Sequence, residues 1–275
     1  MNARSVPSCH KHYYYEASVQ GVEHEVDFAT KVFRARYGRA PLTLREDFCG
    51  TATLACAWAS KSPRHHSWGV DLDTPTLDWG REHHLAFLPK KSGSVTLVHD
   101  DVRTSAVPAV DMTLALNFSY CVFKTREELR AYFQSAYANL KREGIFVTDI
   151  YGGTEAIDTK QEPRRIAPSV AEDGTRVPAF TYVWDQAYFN AINHHVVNHI
   201  HFRFSKGQEM QKAFTYDWRL WTIPEIIELM LEAGFTSADA YVSGWKKNGD
   251  SDDAFRKRIF FGGAAGWVAY VVGTK

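Results

Sequence analysis

The sequence is short of several things, and each shortage narrows what the chain can be. Cysteine is scarce: Cys9, Cys49, Cys56 and Cys121 are the only 4 in 275 residues, and no two stand at CxxC spacing. Neither a disulfide scaffold nor a structural zinc site is expected, and scattered reduced thiols suit a cytoplasmic protein. Neither sign of charge is in excess, with 32 basic against 32 acidic residues. That removes the global field that would draw the chain to nucleic acid or to an anionic membrane. No apolar run reaches the roughly 18 residues that a spanning helix needs, and the opening MNARSVPSCHKHYYYEASVQ has no apolar signal-peptide core. Internal repeats and low-complexity tracts are absent too.

What is present is a chain 45% apolar, enough to bury one elaborated domain over residues 1–275. Val22, Val26, Ala29 and Phe33 recur at helical spacing in EASVQGVEHEVDFATKVFRARYG, which predicts an amphipathic helix ending at Gly38. PLTLRED, SWGVD, SVTLVHD, VDMTLALNF and IFVTDIYGG read as strands, alternating with helices. Asp73 or Thr74 caps one helix with Pro75 in its first turn, and Thr125 with Glu128 forms the capping box of another, closed by Gly144. Such alternation implies a parallel sheet covered on both faces. From about residue 153 to 222 the period changes to two, around a turn at Lys206 and Gly207, which predicts an antiparallel insertion. Thr222 and Glu225 then cap a further helix, and SADAYVSGW, KRIFFGG and GWVAYVVG supply the closing segments.

The most informative stretch is LREDFCGTATLACAWA, residues 44–59, a strand that bends into a helix over a single glycine. A dinucleotide fold places GxGxxG at such a bend, because pyrophosphate must approach the backbone closely at a helix N-terminus. Here Phe48 stands at the first glycine position and Thr53 at the third, leaving Gly50 alone. One point of close approach suits a ligand without phosphates. Asp71 follows at the end of the second strand, placed to accept ribose hydroxyls, and Asp100 and Asp101 end the third, where one carboxylate can take an adenine amino group while the Val102 N–H meets the ring.

With these residues in order, the sequence resembles the class I S-adenosylmethionine-dependent methyltransferases. EDFCGT is similar to that family's glycine loop, GVDLD to its ribose acid, HDDV to its adenine contact, ALNFSY to the segment beneath the methyl group, and LKREGIFVTDIYGG to its fifth strand. The resemblance implies a doubly wound, mostly parallel, seven-stranded Rossmann-like α/β sheet carrying the antiparallel insertion, with residues 1–40 as a helical lid. It implies S-adenosyl-L-methionine as cofactor and S-adenosyl-L-homocysteine as product. Glu46, Asp47, Cys49, Gly50, Thr51, Asp71, Leu72, Asp101, Val102 and Asn117 become expected cofactor contacts, together with Tyr15, the member of the Tyr13–Tyr15 cluster nearest the helix.

For catalysis the expectation falls on Asp149 and Tyr151, which emerge at the top of the fifth strand, and on Tyr120 of ALNFSY. Asp149 is the candidate to orient or deprotonate an acceptor amine; capping of a neighbouring segment is its structural alternative. Asn117 and Tyr120 stand where base-methylating enzymes carry Asn-Pro-Pro-Tyr, but both prolines are missing, so a nucleic-acid partner is not expected. Trp184, Asp185, Tyr188, Trp218 and Trp221 are candidates for an aromatic acceptor pocket, or for core. His194, His195, His199 and His201 resemble a metal cluster, yet no carboxylate or cysteine is interleaved, and no metal is expected. Asp250, Asp252 and Asp253 form a loop suited to a cationic acceptor or simply to solvent. The leading expectation is methyl transfer to the nitrogen or oxygen of a small molecule. A protein or peptide methyltransferase and a non-catalytic nucleotide binder are the alternatives.

Overall fold

The structure, a computed structural model, describes residues 9–244, 252 and 254–275. It divides into two compact units. The smaller comprises the chain up to Gly21 together with Ile157–Leu220, and the larger comprises Val22–Ala156 with Trp221–Lys275. The helix expected to run through to Gly38 is in fact two: α1 (Lys11–Val19) belongs to the smaller unit and α2 (Val22–Tyr37) to the larger. Gln20 leaves the helical region, and α2 restarts after Gly21 with Glu23 and Glu25 in its first turn, where the helix dipole favours them. Gly38, at φ 68°, ends α2 in the left-handed conformation that glycine adopts without strain.

The larger unit then alternates: β1 (Thr43–Asp47), α3 (Thr53–Ser60), β2 (His66–Asp71), α4 (Thr74–His83), β3 (Ser94–His99), β4 (Val110–Ala115), α5 (Arg126–Asn139) and β5 (Leu140–Gly152). The caps are local chemistry: Asp73 accepts the Thr76 N–H, and Thr125 and Glu128 exchange side-chain and backbone bonds as a capping box. The helix does not run to Gly144, because Leu140 is already extended and opens β5.

The smaller unit holds β6 (Lys160–Ile166), β7 (Ser169–Val170), β8 (Arg176–Val177), β9 (Phe180–Asn190), β10 (His195–Arg203) and β11 (Glu209–Arg219). Its four-stranded sheet, ordered β11-β10-β9-β6, is antiparallel, and β7 pairs with β8 in a small separate ribbon. Lys206 and Gly207 both have positive φ in the turn between β10 and β11. Tyr14 of α1 is wholly buried among Phe180, Phe202 and Phe204, while Tyr13 donates to Asp173 at 2.5 Å.

Returning to the larger unit, the chain forms α6 (Ile223–Glu232), β12 (Ser237–Val242), β13 (Arg256–Lys257) and β14 (Trp267–Thr274). The sheet order is β13-β12-β14-β5-β4-β1-β2-β3. β1 to β5 are parallel, and β14 runs antiparallel between β5 and β12. Two-residue β13 is an eighth strand beyond the seven expected. KRIFFGG is otherwise not a strand: Ile259 and Phe260 are exposed. α2 and α3 pack Val26, Ala29, Phe33, Leu54 and Trp58 onto Leu44, Met112, Leu114 and Val147, which fixes the sheet that presents its strand ends to the site.

Candidate active site

The site is built at the C-terminal ends of the parallel strands, where an open α/β sheet offers a crevice. After β1 the backbone takes a left-handed conformation at every second residue, Phe48 (φ 58°), Gly50 (φ 53°) and Ala52 (φ 59°). Only one of the three is glycine. The loop nevertheless holds this shape, because its N–H groups are committed: Gly50 donates to Asp71 Oδ2 at 2.8 Å, Cys49 to the Val70 carbonyl at 3.1 Å and Ala52 to the Cys49 carbonyl at 2.8 Å. Asp71 Oδ1 accepts the Asp73 N–H at 2.9 Å, so one carboxylate ties the loop after β1 to the loop after β2. α4 closes over the loop at Gly80, where an added Cβ would lie 2.4 Å from the Thr51 carbonyl oxygen.

Glu46 directs its carboxylate to the first turn of α3, accepting the Ala55 N–H at 2.9 Å. Burial pushes its carboxyl up to about 8, against the opposing pull of that N–H. A pyrophosphate needs free N–H groups at this bend and no acid beside them. Here three loop amides are already bonded and an acid fills the helix end, so the bend is not a phosphate cradle.

Asp47, the other acid expected at the loop, is turned the opposite way. It is buried and accepts from Arg45 Nε at 2.5 Å and from the Tyr132 hydroxyl at 2.8 Å, so it belongs to the core and not to the cofactor contacts. The Cys49 side chain is likewise packed inside, with Ala52, Ala55 and Leu77, and burial holds its thiol well above its ordinary value. Thr51 is buried and bonds the Thr53 hydroxyl at 3.0 Å. Beyond the loop lies a cavity of about 290 Å³ lined by Phe48, Asp71, Leu72, Asp101, Val102 and Phe123, among others. Leu72 is exposed on its rim. Asp101 is engaged by Arg103 through its backbone N–H at 2.8 Å, Nε at 3.0 Å and Nη2 at 2.6 Å, which holds the carboxyl below its usual value. Arg103 in turn lies 5.3 Å from the Phe123 ring centroid.

At the end of β4, Asn117 (φ 56°) and Phe118 (φ 57°) are consecutive left-handed residues. Asp149 on β5 holds both: Oδ2 accepts the Asn117 N–H at 2.8 Å and Oδ1 the Phe118 N–H at 2.9 Å. Burial pushes its carboxyl up to about 8. Asp149 is thus a clamp on the turn beneath the site. The Tyr151 ring lies 4.7 Å from that of Phe118, tilted 57° to it. Tyr120 is wholly buried, and that burial raises its phenol well above the ordinary value, so it stays protonated near neutrality.

No protein-family model matches the chain, and no curated protein matches it in sequence. Solved structures match it in shape along its whole length. CalS10, an amino pentose methyltransferase from Micromonospora echinaspora solved with S-adenosylmethionine bound, superposes with a TM-score of 0.67 at 17% identity over 99% of each chain. DesVI of Streptomyces venezuelae gives 0.67 at 17% over 96% of this chain and 95% of its own. The sugar N-methyltransferase KedS8 from Streptoalloteichus sp ATCC 53650 gives 0.63 at 12% over 100% of this chain and 96% of its own. The chain has the class I methyltransferase fold.

Within that methyltransferase fold the remaining expected residues divide by unit. Tyr15 lies in the smaller unit, its ring 4.8 Å from Phe214. Trp184, Tyr216 and Trp218 cluster there as well, and Tyr188 is exposed beside His195. Trp221 belongs instead to the core of the larger unit, donating to the Phe123 carbonyl at 3.1 Å. Each of three histidines finds an oxygen partner on a neighbouring strand: His195 on Asp217, His199 on Thr215 and His201 on Asp185. Among the described residues no group of three or more His, Cys, Asp or Glu can hold a metal. Asp252 accepts the Gly244 and Ala254 N–H groups within its own loop; Asp250 and Asp253 lie outside the described residues.

Sequence reasoning missed three residues around this site in the methyltransferase fold. Phe48 and Phe123 line the cavity, visible in sequence only as a lost glycine and an ordinary aromatic. Glu25 sits on the apolar stripe of α2, one position before Val26 and three before Phe28. Burial pushes its carboxyl up to about 7, and its charge acts on Glu46 and Asp149. An acid interrupting a buried stripe was the available signal.

Proposed function

We propose that the protein transfers a methyl group from S-adenosyl-L-methionine to a small-molecule nitrogen or oxygen nucleophile, with the amine of an amino sugar as the first acceptor class to test. The observation that carries this reading is the committed bend after β1, whose bonded amides and Glu46 carboxylate suit a donor without phosphates and disfavour a dinucleotide. The shared fold supports it, since two of the similar structures are described as amino pentose and sugar N-methyltransferases.

In this reading Asp71 takes the ribose hydroxyls, the amides of Leu72 and Val102 face the adenosyl half, and Phe48 and Phe123 supply apolar walls. Asp101, bonded to Arg103, offers its remaining lone pairs to the adenine amino group. Glu46 and Glu25 oppose the cationic amino-acid half. When bound, the donor supplies an electrophilic methyl group on a sulfonium, so the chain's own work is chiefly alignment and exclusion of water. Asp149 serves as the support of the Asn117–Phe118 turn, and Tyr151 faces the acceptor side. The buried thiols of Cys49, Cys56 and Cys121, none in a disulfide, fit a reducing cytoplasmic setting; no described helix is long and apolar enough to cross a membrane.

Titration calorimetry with S-adenosylmethionine, S-adenosylhomocysteine and NAD decides the donor. Heat with the first two and none with the third is expected, and the reverse pattern overturns the reading. Incubation with labelled donor and a panel of nucleotide-linked amino sugars then tests the acceptor class by mass spectrometry, with peptides as the competing arm.

A further inference from the structure

Arg45 is the most unusual side chain of the larger unit. It lies on β1, in the middle of a parallel sheet, and is wholly buried. Its Nε donates to Asp47 Oδ1 at 2.5 Å and its Nη2 to the Val102 carbonyl at 2.7 Å, while Nη1 has no acceptor among the described residues. Asp47 also receives the Tyr132 hydroxyl of α5 at 2.8 Å. A well-packed apolar trio of similar volume is often the more stable core, because desolvating a charge pair offsets much of its attraction. The stability of the sheet alone does not call for these residues.

What they connect is more telling. Asp47 precedes Phe48, whose ring lies 5.5 Å from Tyr132 and 6.0 Å from Phe123. Val102 sits in the loop after β3. Phe48, Phe123 and Val102 all line the 290 Å³ cavity, so the guanidinium ties the loop after β1 to the loop after β3 from beneath. We propose that the Arg45–Asp47–Tyr132 cluster sets the width of the adenosyl pocket, and that Arg45 and Tyr132 are positioning residues for the donor. This rests on the donor reading above. Neither residue touches the ligand. They act by fixing the carbonyl of Val102, and with it the peptide planes that present the Val102 N–H and the Asp101 carboxylate.

The test compares wild type with the double variant Arg45→Met/Asp47→Leu, which removes both charges at similar volume, and with Tyr132→Phe, which keeps the ring packing. Three readouts are used: the denaturant midpoint, amide exchange across residues 100–104, and calorimetry with S-adenosylhomocysteine and with 5′-methylthioadenosine, which carries only the adenosyl half. The double variant is expected to fold with a lowered midpoint, because the buried Tyr132 hydroxyl loses its acceptor, to exchange the loop amides about tenfold faster, and to bind both ligands about tenfold more weakly by the same factor. Equal weakening of the two ligands is the signature of a pocket effect confined to the adenosyl half. A folded double variant with wild-type exchange and affinities overturns the proposal. If it fails to fold, Tyr132→Phe decides, with about threefold weaker binding of both ligands expected and unchanged binding overturning it. Should wild type bind neither ligand, the donor reading fails, and the exchange comparison still decides whether the cluster clamps the loop.

Discussion

Two turns at the top of the sheet solve one problem in different ways. The turn after β1 has left-handed residues at Phe48, Gly50 and Ala52, and the turn after β4 has them side by side at Asn117 and Phe118. Each non-glycine residue in that region costs about 1 kcal/mol or more. After β1 the cost is offset by many small holds: the Val70 carbonyl, the Asp71 carboxylate, and a Phe48 ring packed on Tyr132. After β4 it is offset chiefly by one carboxylate, Asp149, that accepts two N–H groups. The first turn is redundant and tolerates change; the second hangs on a single side chain.

The sharpest way to break this contrast is Asp149→Ala. It leaves two strained amides without their acceptor and should lower the unfolding free energy by about 3 kcal/mol in a denaturant titration. Asp71→Ala removes one hold among several from the first turn. Its stability loss should be smaller, at about 1 kcal/mol, while S-adenosylhomocysteine affinity falls by about 1–3 kcal/mol, read by calorimetry.

Both turns hold a carboxyl that burial pushes up to about 8, Glu46 at the first and Asp149 at the second, and the second is isolated by comparing wild type with an Asp149 variant. Asp149 is pushed up to about 8 in the folded chain, against about 4 when unfolded. The folded state therefore binds an extra proton between those values, and its contribution to stability is greatest below the unfolded value and is lost as pH rises towards 8. Wild type should thus lose stability more steeply than Asp149→Asn between pH 5 and 7, by up to about 1.4 kcal/mol per pH unit, and equal slopes would exclude this titration. Smallest is Ala52→Gly, which relaxes a left-handed residue buried at the start of α3. It should stabilise by about 0.5 kcal/mol after the entropic cost of glycine, and a decrease would show that the Ala52 methyl packs usefully.

Much of the fold was legible because its signals are local. Thr125 with Glu128 and Thr222 with Glu225 form both capping boxes, and Asp73 caps α4. The break at Gly21 was obscured because Val22 continues the apolar spacing on either side of it. β6 was not visible: its KQEPRRI pattern is polar and mostly exposed, and only pairing with β9 makes it a strand. At the site, the order of the loop after β1, the acid ending β2 and the acids after β3 could be read from spacing. The choice between Glu46 and Asp47 could not. Adjacent strand residues face opposite ways, and which face meets the core depends on where α5 brings Tyr132. The capping role open to Asp149 could be named, but its partners were hidden, since the amides it clamps lie 32 and 31 residues away.

The smaller unit is stitched from two distant stretches of chain, and this bears on how the protein is made. Tyr13 bonds Asp173 across 160 residues, and Tyr14 finds Phe180, Phe202 and Phe204 only once those strands exist. During synthesis the N-terminal helix emerges early with an aromatic face awaiting its seat, while the first five parallel strands are still being laid down. Its docking waits for residues 160 positions further along, so the smaller unit cannot be completed until those later strands have been made.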